Sequence, residues 1–232
     1  LADSAHGFGA KRNGKMSGEC ADFTSFSFHA VKNFTTAEGG GLVWRPVPGV
    51  DDGEIYHNLM LLTLHGQSKD ALAKTKLGAW EYDIKGPYYK CNMTDILAAV
   101  GLVQQKRYKS LLARRKEIIE RYDEWIKDDD IMTLKHFDGD NISSGHLYLV
   151  RVLPYDEEKR NSLITAMAEA GIATNVHYKP LPMHTAYKNL GFDIKDFPKS
   201  FEMYHNEVTL PLHTNLTDEQ IEYVIENFNS LK

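Results

Sequence analysis

The segment Ser25-Phe26-Ser27-Phe28-His29-Ala30-Val31-Lys32-Asn33 places one lysine after an alternating apolar pattern, and a glycine-rich turn, Thr35-Thr36-Ala37-Glu38-Gly39-Gly40-Gly41, follows. The alternation predicts a strand over residues 22–28. An amine that is partly buried beyond such a strand is disfavoured as an ammonium ion, and this suits imine formation with a carbonyl group. A lone lysine at a strand end is more often a solvated surface residue, so the surrounding sequence decides between the two interpretations.

Three other segments accompany this one in a fixed order. Upstream lies Asp3-Ser4-Ala5-His6-Gly7-Phe8-Gly9-Ala10, which puts the aspartate 29 positions before the lysine. Downstream lie a segment from Tyr88 to Leu102 that contains Lys90-Cys91-Asn92, and a segment from Gly171 to Leu181 that contains His177-Tyr178.

Together these segments resemble the DegT/DnrJ/StrS family of pyridoxal-phosphate (PLP) sugar aminotransferases, a branch of the fold-type I PLP enzymes. The family core reads like Glu-Asp-Ala-Ala-His-Ala and then Phe-Ser-Phe-His-x-x-Lys-x-x-Thr-x-x-Glu-Gly-Gly. The resemblance runs from the first residue to about Leu231 and implies an α/β fold, the PLP-dependent transferase fold-type I. We expect residues 1–105 to form the C-terminal, rear part of the large PLP-binding domain. Residues 106–232 are then the linking helix and the small α/β C-terminal domain.

The chain is shorter than members of the family, which have two full domains of ~100–200 residues each. It has no initiating Met, and Leu1-Ala2-Asp3 reads as the end of a buried strand. The resemblance therefore implies an N-terminal part, absent from this sequence, that would grip the PLP phosphate and stack on its ring. We expect this chain alone not to bind PLP tightly.

The resemblance assigns the catalytic chemistry to two residues. It implies that Lys32 forms an internal aldimine with PLP and then moves a proton between the substrate Cα and C4′ of the cofactor. It implies that Asp3 faces the pyridine nitrogen and keeps it protonated, because only a cationic ring accepts the carbanion electrons well. Without Lys32 as a partner, Asp3 would read as an ordinary strand-end residue.

Four further residues are expected to bind the cofactor. His6 matches a position near the phenolic oxygen, and Ser27 matches a hydroxyl position against the phosphate, although a backbone-bonded His and a surface Ser are the common alternatives. Many family members carry Asn-x-Arg where this chain has Lys90-Cys91-Asn92. The resemblance implies that Lys90 crosses a dimer interface towards the partner's PLP phosphate, with Asn92 nearby. A homodimer with shared active sites is therefore expected.

The substrate side is expected at three residues. Asn33 follows the lysine and matches a sugar contact, while His177 and Tyr178 match the entrance for the nucleotide sugar or the amino donor. A structural histidine at a strand end is nearly as common. Trp80, Tyr82 and Tyr88 allow stacking on a nucleobase, but core packing is the commoner role of such aromatic residues.

The function implied is transfer of an amino group from an amino acid, expected to be glutamate, to a keto group of a nucleotide-linked deoxysugar. The product would feed polysaccharide biosynthesis. Two alternatives stay open. One is a non-catalytic remnant of a PLP domain that serves as a partner subunit. The other is a pyridoxamine-dependent sugar dehydratase, which Lys32 disfavours because related dehydratases carry His there.

Composition excludes several other classes. With 42% apolar residues the chain can form a core, and a net charge of −5 argues against nucleic-acid binding. Two cysteines give no disulfide framework, and ten histidines show no His-x-x-x-His spacing beside a carboxylate, so no metal site is expected. The sequence has neither an apolar run of ~18–20 residues nor a signal peptide, so we expect no membrane segment and a cytoplasmic protein.

Periodicity and end signals predict the remaining elements. We expect helix 95–105 to be buried, because it is apolar on nearly every turn, and helix 107–127 to be amphipathic and to link the domains. The apolar side of the second helix consists of Leu111, Leu112, Ile118, Ile119, Tyr122 and Trp125. The other helices are expected at 54–65, 156–170, 199–206 and 218–229, the other strands at 41–44, 146–152 and 172–177, and residues 210–212 are expected to be extended.

Overall fold

The computed structural model describes residues 1–68 and 81–232. Contacts between residues group the chain into two units, one formed by residues 1–8 and 15–106 and the other by residues 9–14 and 107–232. Trp80 lies outside the described residues.

The strands of the described residues are short, with two to five residues each, and the helices range from four to 31 residues. The strands are β1 (Ala2–Asp3), β2 (Lys11–Arg12), β3 (Lys15–Met16), β4 (Phe23–Ser27), β5 (Gly40–Trp44), β6 (Ile131–Thr133), β7 (Phe137–Asp138), β8 (Asn141–Ile142), β9 (Tyr148–Val152) and β10 (Glu207–Leu210). The helices are α1 (Asp52–Thr63), α2 (Asp95–Trp125), α3 (Glu157–Glu169), α4 (Thr185–Lys188), α5 (Pro198–Tyr204) and α6 (Asp218–Leu231).

The first unit is built on a three-stranded sheet in the order β1-β4-β5. The central strand β4 runs parallel to β1, with Asp3 opposite Ser25, and antiparallel to β5. Thr24 and Phe26 are buried while their neighbours in β4 are only half-buried, which is the period-two pattern predicted for this strand. The predicted strands at 22–28 and 41–44 are confirmed.

Helix α1 follows this sheet. The Asp51 side chain accepts a hydrogen bond from the Glu54 backbone N–H at 3.0 Å, so it caps the first turn. The helix predicted at 54–65 is confirmed, with its start two residues earlier.

Helix α2 is continuous where two helices were predicted, because nothing at Lys106 breaks the backbone hydrogen bonds. Its first turns were predicted to be buried, and this is wrong: the side chain of Ile96 is 78% exposed and that of Leu102 is 63% exposed. Apolar composition indicates that a surface can be buried, not what covers it. The described residues of this unit pack against the helix at Gly101, where an added Cβ would lie 3.0 Å from Thr36 Cγ2.

The later turns of α2 belong to the second unit. Ile118, Ile119 and Tyr122 are buried, which confirms the predicted apolar side of this part of the helix. Trp125 was placed on the same side, but it is 61% exposed, so that assignment is wrong.

The second unit is built around the antiparallel sheet β10-β9-β6. Val150 of the central strand β9 lies opposite Val208 of β10 and Thr133 of β6. Helices α2, α3 and α6 contribute to the same apolar core. The fully or nearly fully buried members of this core are Ile118, Ile119, Tyr122, Tyr148, Val150, Met167, Val208, Leu210, Ile221 and Phe228.

Three of the predicted helices of this unit are confirmed as α3, α5 and α6, as is the strand at 146–152. Gly171 has a φ of +76° directly after α3, the left-handed conformation that ends a helix most easily at glycine. The capping box of α6 is formed as predicted: Thr217 Oγ1 accepts from the Gln220 N–H, and Gln220 Oε1 accepts from the Thr217 N–H.

The strand predicted at 172–177 is wrong. This segment is irregular and pairs with β10 through a single bridge between Asn175 and Thr209. The side chain of Asn175 accepts the next backbone N–H, from Val176, at 2.8 Å, and the N–H of His177 is donated to a Glu207 carboxylate oxygen. Because these two N–H groups bind side chains, they are not available for a strand ladder.

Candidate active site

Two strands of the first unit end at the same edge of its sheet. β1 and β4 are parallel neighbours, so the carboxyl ends of both strands, at Asp3 and Ser27, point the same way. The N–H of Ser4 donates to the Ser25 carbonyl at 2.8 Å, which extends the pairing past Asp3. The Asp3 carboxylate is exposed and accepts the Ala5 N–H at 3.0 Å, so a backbone hydrogen bond orients it.

Lys32 lies on the loop that joins β4 to β5. This loop is closed at its base, where the Phe28 N–H donates to the Gly39 carbonyl and the Thr36 N–H donates to the Phe28 carbonyl, both at 2.9 Å. The Lys32 N–H donates to the His29 carbonyl at 2.9 Å, and the lysine side chain is half-buried. The predicted lysine is therefore held on a hydrogen-bonded turn next to the sheet edge.

Gly39 is required for the geometry of this loop. Its φ of +140° is rarely adopted by residues with a side chain, and an added Cβ would lie 2.8 Å from Thr36 Oγ1 and 2.6 Å from Met93 Cε. The same closeness shows that the segment around Met93 lies beside the lysine loop.

Four phenylalanines pack around the base of the loop. The ring of Phe8 lies 5.3 Å from that of Phe26, 5.4 Å from that of Phe28 and 4.8 Å from that of Phe34, measured between centroids. Phe28 and Phe34 are 4.8 Å apart. Because Phe8 belongs to the segment after β1 and Phe34 to the lysine loop, this cluster ties the two together. Phe8 and Phe34 were not predicted from the sequence, although each stands within two residues of a predicted site residue.

The other predicted cofactor residues of the first unit are partly accessible. His6, Ser27 and Asn33 are half-buried, and Ser27 Oγ accepts the His29 N–H at 3.3 Å. Lys90 is exposed and its ammonium donates to Asn92 Oδ1 of the same chain.

The end of α1 positions the Lys90 segment. The N–H of His65 donates to the Tyr89 carbonyl at 2.8 Å, and the N–H of Cys91 donates to the Thr63 carbonyl at 2.9 Å. A bridge between Leu64 and Lys90 completes this pairing. Lys90 therefore has a defined place, while its expected reach into a partner subunit stays a prediction.

The functional groups of these side chains match those of PLP. An amine suits the aldehyde, a carboxylate suits a pyridinium nitrogen, and a hydroxyl with an ammonium group suits a phosphate. In the first unit these groups belong to Lys32, Asp3, Ser27 and Lys90, with Lys90 expected at the phosphate of a partner subunit. Within residues 1–68 and 81–232, no group of three or more His, Cys, Asp or Glu residues is placed to hold a metal ion.

Of the two predicted substrate residues of the second unit, His177 is hydrogen-bonded to strand β10. The N–H of His177 donates to Glu207 Oε2 at 2.9 Å, and His177 Nδ1 lies 2.8 Å from Thr209 Oγ1. Thr209 Oγ1 donates to Glu207 Oε1 at 2.6 Å. Tyr178 is exposed, and its ring meets that of His177 edge-on at 4.7 Å. Glu207 and Thr209 were not predicted from the sequence, because their strand was recognised only from Leu210 onwards.

Burial is the main influence on the Glu207 carboxyl group and raises its pKa above the ordinary value. The hydrogen bonds from Thr209 and from the His177 N–H act in the opposite direction, as does the nearby charge of Arg160.

Two of the three aromatic residues considered for nucleobase stacking lie in the described part of the chain. Tyr82 and Tyr88 are exposed, so the core-packing interpretation is wrong for both. The described helices are each too short or too polar to cross a bilayer.

A mixed α/β chain that brings a carboxylate at one strand end to the same sheet edge as a lysine loop has the architecture of the PLP-dependent transferases of fold-type I. Comparison with solved structures confirms this fold class. The chain belongs to the DegT/DnrJ/EryC1/StrS aminotransferase family, whose sequence profile matches residues 1–229. Aminotransferases of this family depend on PLP, as expected from the resemblance.

Two curated relatives illustrate the match. The chain is 36% identical to the spore coat polysaccharide biosynthesis protein SpsC of Bacillus subtilis, covering 97% of this chain and 58% of the relative. It is 30% identical to the UDP-4-amino-4,6-dideoxy-N-acetyl-beta-L-altrosamine transaminase of Helicobacter pylori, covering 100% of this chain and 59% of the relative.

Among solved structures, Spr1654 of Streptococcus pneumoniae, described as a candidate sugar aminotransferase, superposes in its PMP-form with a TM-score of 0.94 and 57% identity. The match covers 99% of this chain and 57% of Spr1654, which has also been solved in a PLP-form. The chain thus spans less than three fifths of the length of the relatives it matches.

Proposed function

We propose that the complete protein is an aminotransferase that transfers an amino group from an amino acid, with glutamate as the expected donor, to a keto group of a nucleotide-linked deoxysugar. The observation that carries this proposal is the half-buried Lys32 on a closed loop at the sheet edge where Asp3 ends the parallel neighbouring strand. The sugar substrates named for the relatives support the choice of acceptor.

PLP, when bound, supplies an aldehyde for the amino group and a ring that accepts electrons. Lys32 would hold PLP at its aldehyde carbon, and its amine would carry the proton that moves between the substrate Cα and C4′ of the cofactor. Asp3 accepts the hydrogen bond of the ring N–H and keeps that nitrogen cationic. The Lys32 amine would serve both to hold the cofactor and to move the proton, because the loop keeps this amine beside the aldehyde carbon of PLP.

The neighbouring groups bind and orient. Ser27 donates to the phosphate, and His6 lies at the phenolic oxygen side of the ring. Lys90 and Asn92 supply charge and an amide to the phosphate of the partner subunit in a homodimer, so each active site needs two chains. Within the chain, Lys90 donates to Asn92 Oδ1, so the two side chains lie together.

Asn33, His177 and Tyr178 are assigned to the substrate side. Asn33, which directly follows the lysine, is assigned a contact with the sugar. His177 and Tyr178, whose rings meet edge-on, are assigned one polar and one aromatic contact with the nucleotide sugar or the amino donor. The proposed product is an amino sugar for polysaccharide biosynthesis in the cytoplasm.

The test uses the complete protein with PLP, glutamate and a panel of keto-sugar nucleotides, and measures the release of 2-oxoglutarate. Lys32→Ala is expected to abolish turnover, and borohydride should fix a pyridoxyl group on Lys32 of the wild-type protein, as seen by peptide mass spectrometry. Lys188→Ala, which changes an exposed lysine of α4, serves as the matched control and should behave as wild type.

Other outcomes would overturn the proposal. Normal turnover of Lys32→Ala removes the role of this lysine. Loss of water from the sugar without consumption of glutamate would favour a dehydratase, and an intact protein that binds PLP but converts none of the sugars would favour a partner subunit.

A further inference from the structure

The turn that closes the lysine loop contains a residue in an uncommon backbone conformation. Ala37 has a φ of +68°, in the left-handed region that residues with a Cβ rarely adopt. Ala37 is exposed, so packing in a core does not hold it there. Such a conformation persists only where the surrounding contacts enforce it, and it is found mainly at functional sites. The contacts around Ala37 therefore bear on the function of the loop.

The hydroxyl group of Thr35 holds this turn at two points. Thr35 Oγ1 accepts the Ala37 N–H at 2.9 Å and donates to the Phe28 carbonyl at 3.2 Å. The same Phe28 carbonyl accepts the Thr36 N–H at 2.9 Å. One hydroxyl group thus connects the residue in the left-handed conformation to the residue that directly follows β4, where the loop begins.

The hydroxyl group of Thr36 holds the same turn. Thr36 is only 1% exposed, and its Oγ1 donates to the Glu38 carbonyl at 2.6 Å. The Glu38 carboxylate lies 3.5 Å from His29, measured from Oε1 to Nε2. The His29 carbonyl accepts the Lys32 N–H. Through Glu38, the turn is therefore connected to the residue that fixes the backbone of the lysine.

We propose that Thr35 and Thr36 are positioning residues for the proposed reaction of Lys32. Their hydroxyl groups hold Ala37 in its left-handed conformation, which keeps the loop closed and the lysine amine in one place. This rests on the proposed function, because the proposed proton transfer needs the amine at a fixed position. A loop that opens part of the time would leave fewer molecules with the amine in position, so the reaction would slow down. All of these residues belong to the first unit.

The experiment compares Thr35→Val, which keeps the shape but removes the hydroxyl group, with Thr35→Ser, which keeps the hydroxyl group. In the complete protein freed of PLP, hydrogen exchange over residues 28–39 should be faster in Thr35→Val and unchanged in Thr35→Ser. In the PLP-loaded protein, the kcat of Thr35→Val should fall by roughly tenfold, the effect of one lost hydrogen bond, while the KM for each substrate stays the same.

A change at Ala37 tests whether the hydroxyl groups act through the turn. Ala37→Gly removes the Cβ that disfavours the left-handed conformation, so the turn should depend less on Thr35. The double variant Thr35→Val/Ala37→Gly should therefore exchange more slowly over residues 28–39 than Thr35→Val and recover most of the lost kcat.

Two further variants complete the comparison. Thr36→Val should act like Thr35→Val, which keeps the proposal testable if one of the two does not fold. Thr165→Val is the matched control, because it loses a hydroxyl-to-carbonyl hydrogen bond of 3.0 Å on α3 of the second unit. It should keep the wild-type kcat and the wild-type exchange over residues 28–39.

Unchanged exchange and kcat in both Thr35→Val and Thr36→Val would overturn the inference. Equal losses in Thr35→Ser and Thr35→Val, or no recovery in the double variant, would also overturn it. A wild-type protein that shows the expected exchange but converts no keto-sugar overturns the proposed function instead, and the role in catalysis with it. The exchange measurement does not depend on activity, so the two failures are distinguishable.

Discussion

The proposed role of Lys32 depends on the loop backbone that fixes its position. The N–H of Lys32 is bound to the His29 carbonyl, and the loop is closed four residues further on at Thr36. The half-buried side chain therefore starts from a fixed backbone. A flexible lysine would lose conformational entropy each time it reached the cofactor, and a closed loop reduces that cost.

Asp3 is expected to act through its charge. Asp3→Asn keeps the oxygen that accepts the Ala5 N–H but removes the negative charge, so the cofactor ring nitrogen is no longer held protonated. We expect PLP to stay bound while turnover falls by roughly 10²–10⁴-fold. Turnover and the visible spectrum of the complete protein measure the two effects separately.

Asp22→Asn is the control for this variant, because it loses an exposed ion pair with Arg45 at 2.8 Å and should keep near-normal turnover. If the Asp3→Asn variant turns over at the wild-type rate, the charge of Asp3 is not needed to keep the ring nitrogen protonated, and the assignment of Asp3 fails.

The lysine loop is an element that depends on aromatic packing. Its base is held by backbone hydrogen bonds, and its underside is held by the contacts of Phe34 with Phe8 and Phe28. Aromatic pairs in edge-on or tilted geometry contribute ~0.5–1.5 kcal/mol each beyond the area that they bury. The loop and the segment after β1 are therefore stabilised together.

Phe34→Ala should destabilise this unit by about 3–5 kcal/mol, the usual cost of truncating a buried phenylalanine. Denaturant unfolding followed by circular dichroism measures the loss. Phe192→Ala removes an exposed ring of the second unit and should cost far less. Equal losses for the two variants would mean that Phe34 does not stabilise the loop.

Helix α2 shows how one element can serve two environments. Its later turns bury Ile118 and Tyr122 in the core of the second unit, while its first turns leave Ile96 and Leu102 exposed. Both parts are apolar in sequence, so only the folded chain distinguishes them.

Over the whole molecule, apolar burial is uneven. The large cluster of buried side chains, drawn from α2, β9, α3, β10 and α6, lies in the second unit. In the first unit, the buried side chains described include Thr24, Phe26, Phe34 and Thr36. Local stability follows the density of buried apolar contacts, so the two units are expected to differ.

Hydrogen exchange of this chain, followed by mass spectrometry, is expected to show slow exchange in β9, β10 and α6 and faster exchange in β1, β4 and the lysine loop. Addition of PLP to the complete protein should slow exchange in the loop, because ligand binding stabilises the state that binds it. Equal protection of β4 and β9 in this chain would contradict the expected difference.

The sequence was sufficient for the fold class, the family and the elements with strong local signals. Alternation marked β4, the capping box marked α6, and Gly171 marked the end of α3, because each of these depends on a few adjacent residues. The family resemblance implied the chemistry of Asp3 and Lys32, and the parallel pairing of β1 with β4 brings the ends of both strands to one edge of the sheet.

Long-range packing decided the rest. The first turns of α2 are exposed, and residues 172–177 are held by Glu207 and Thr209 instead of a strand ladder, although both segments carry apolar patterns. Glu207 stands 30 residues from His177 in the chain, so no local pattern could connect them. Periodicity reports what one segment can bury or pair with, whereas the partner that it meets depends on the fold of the whole unit.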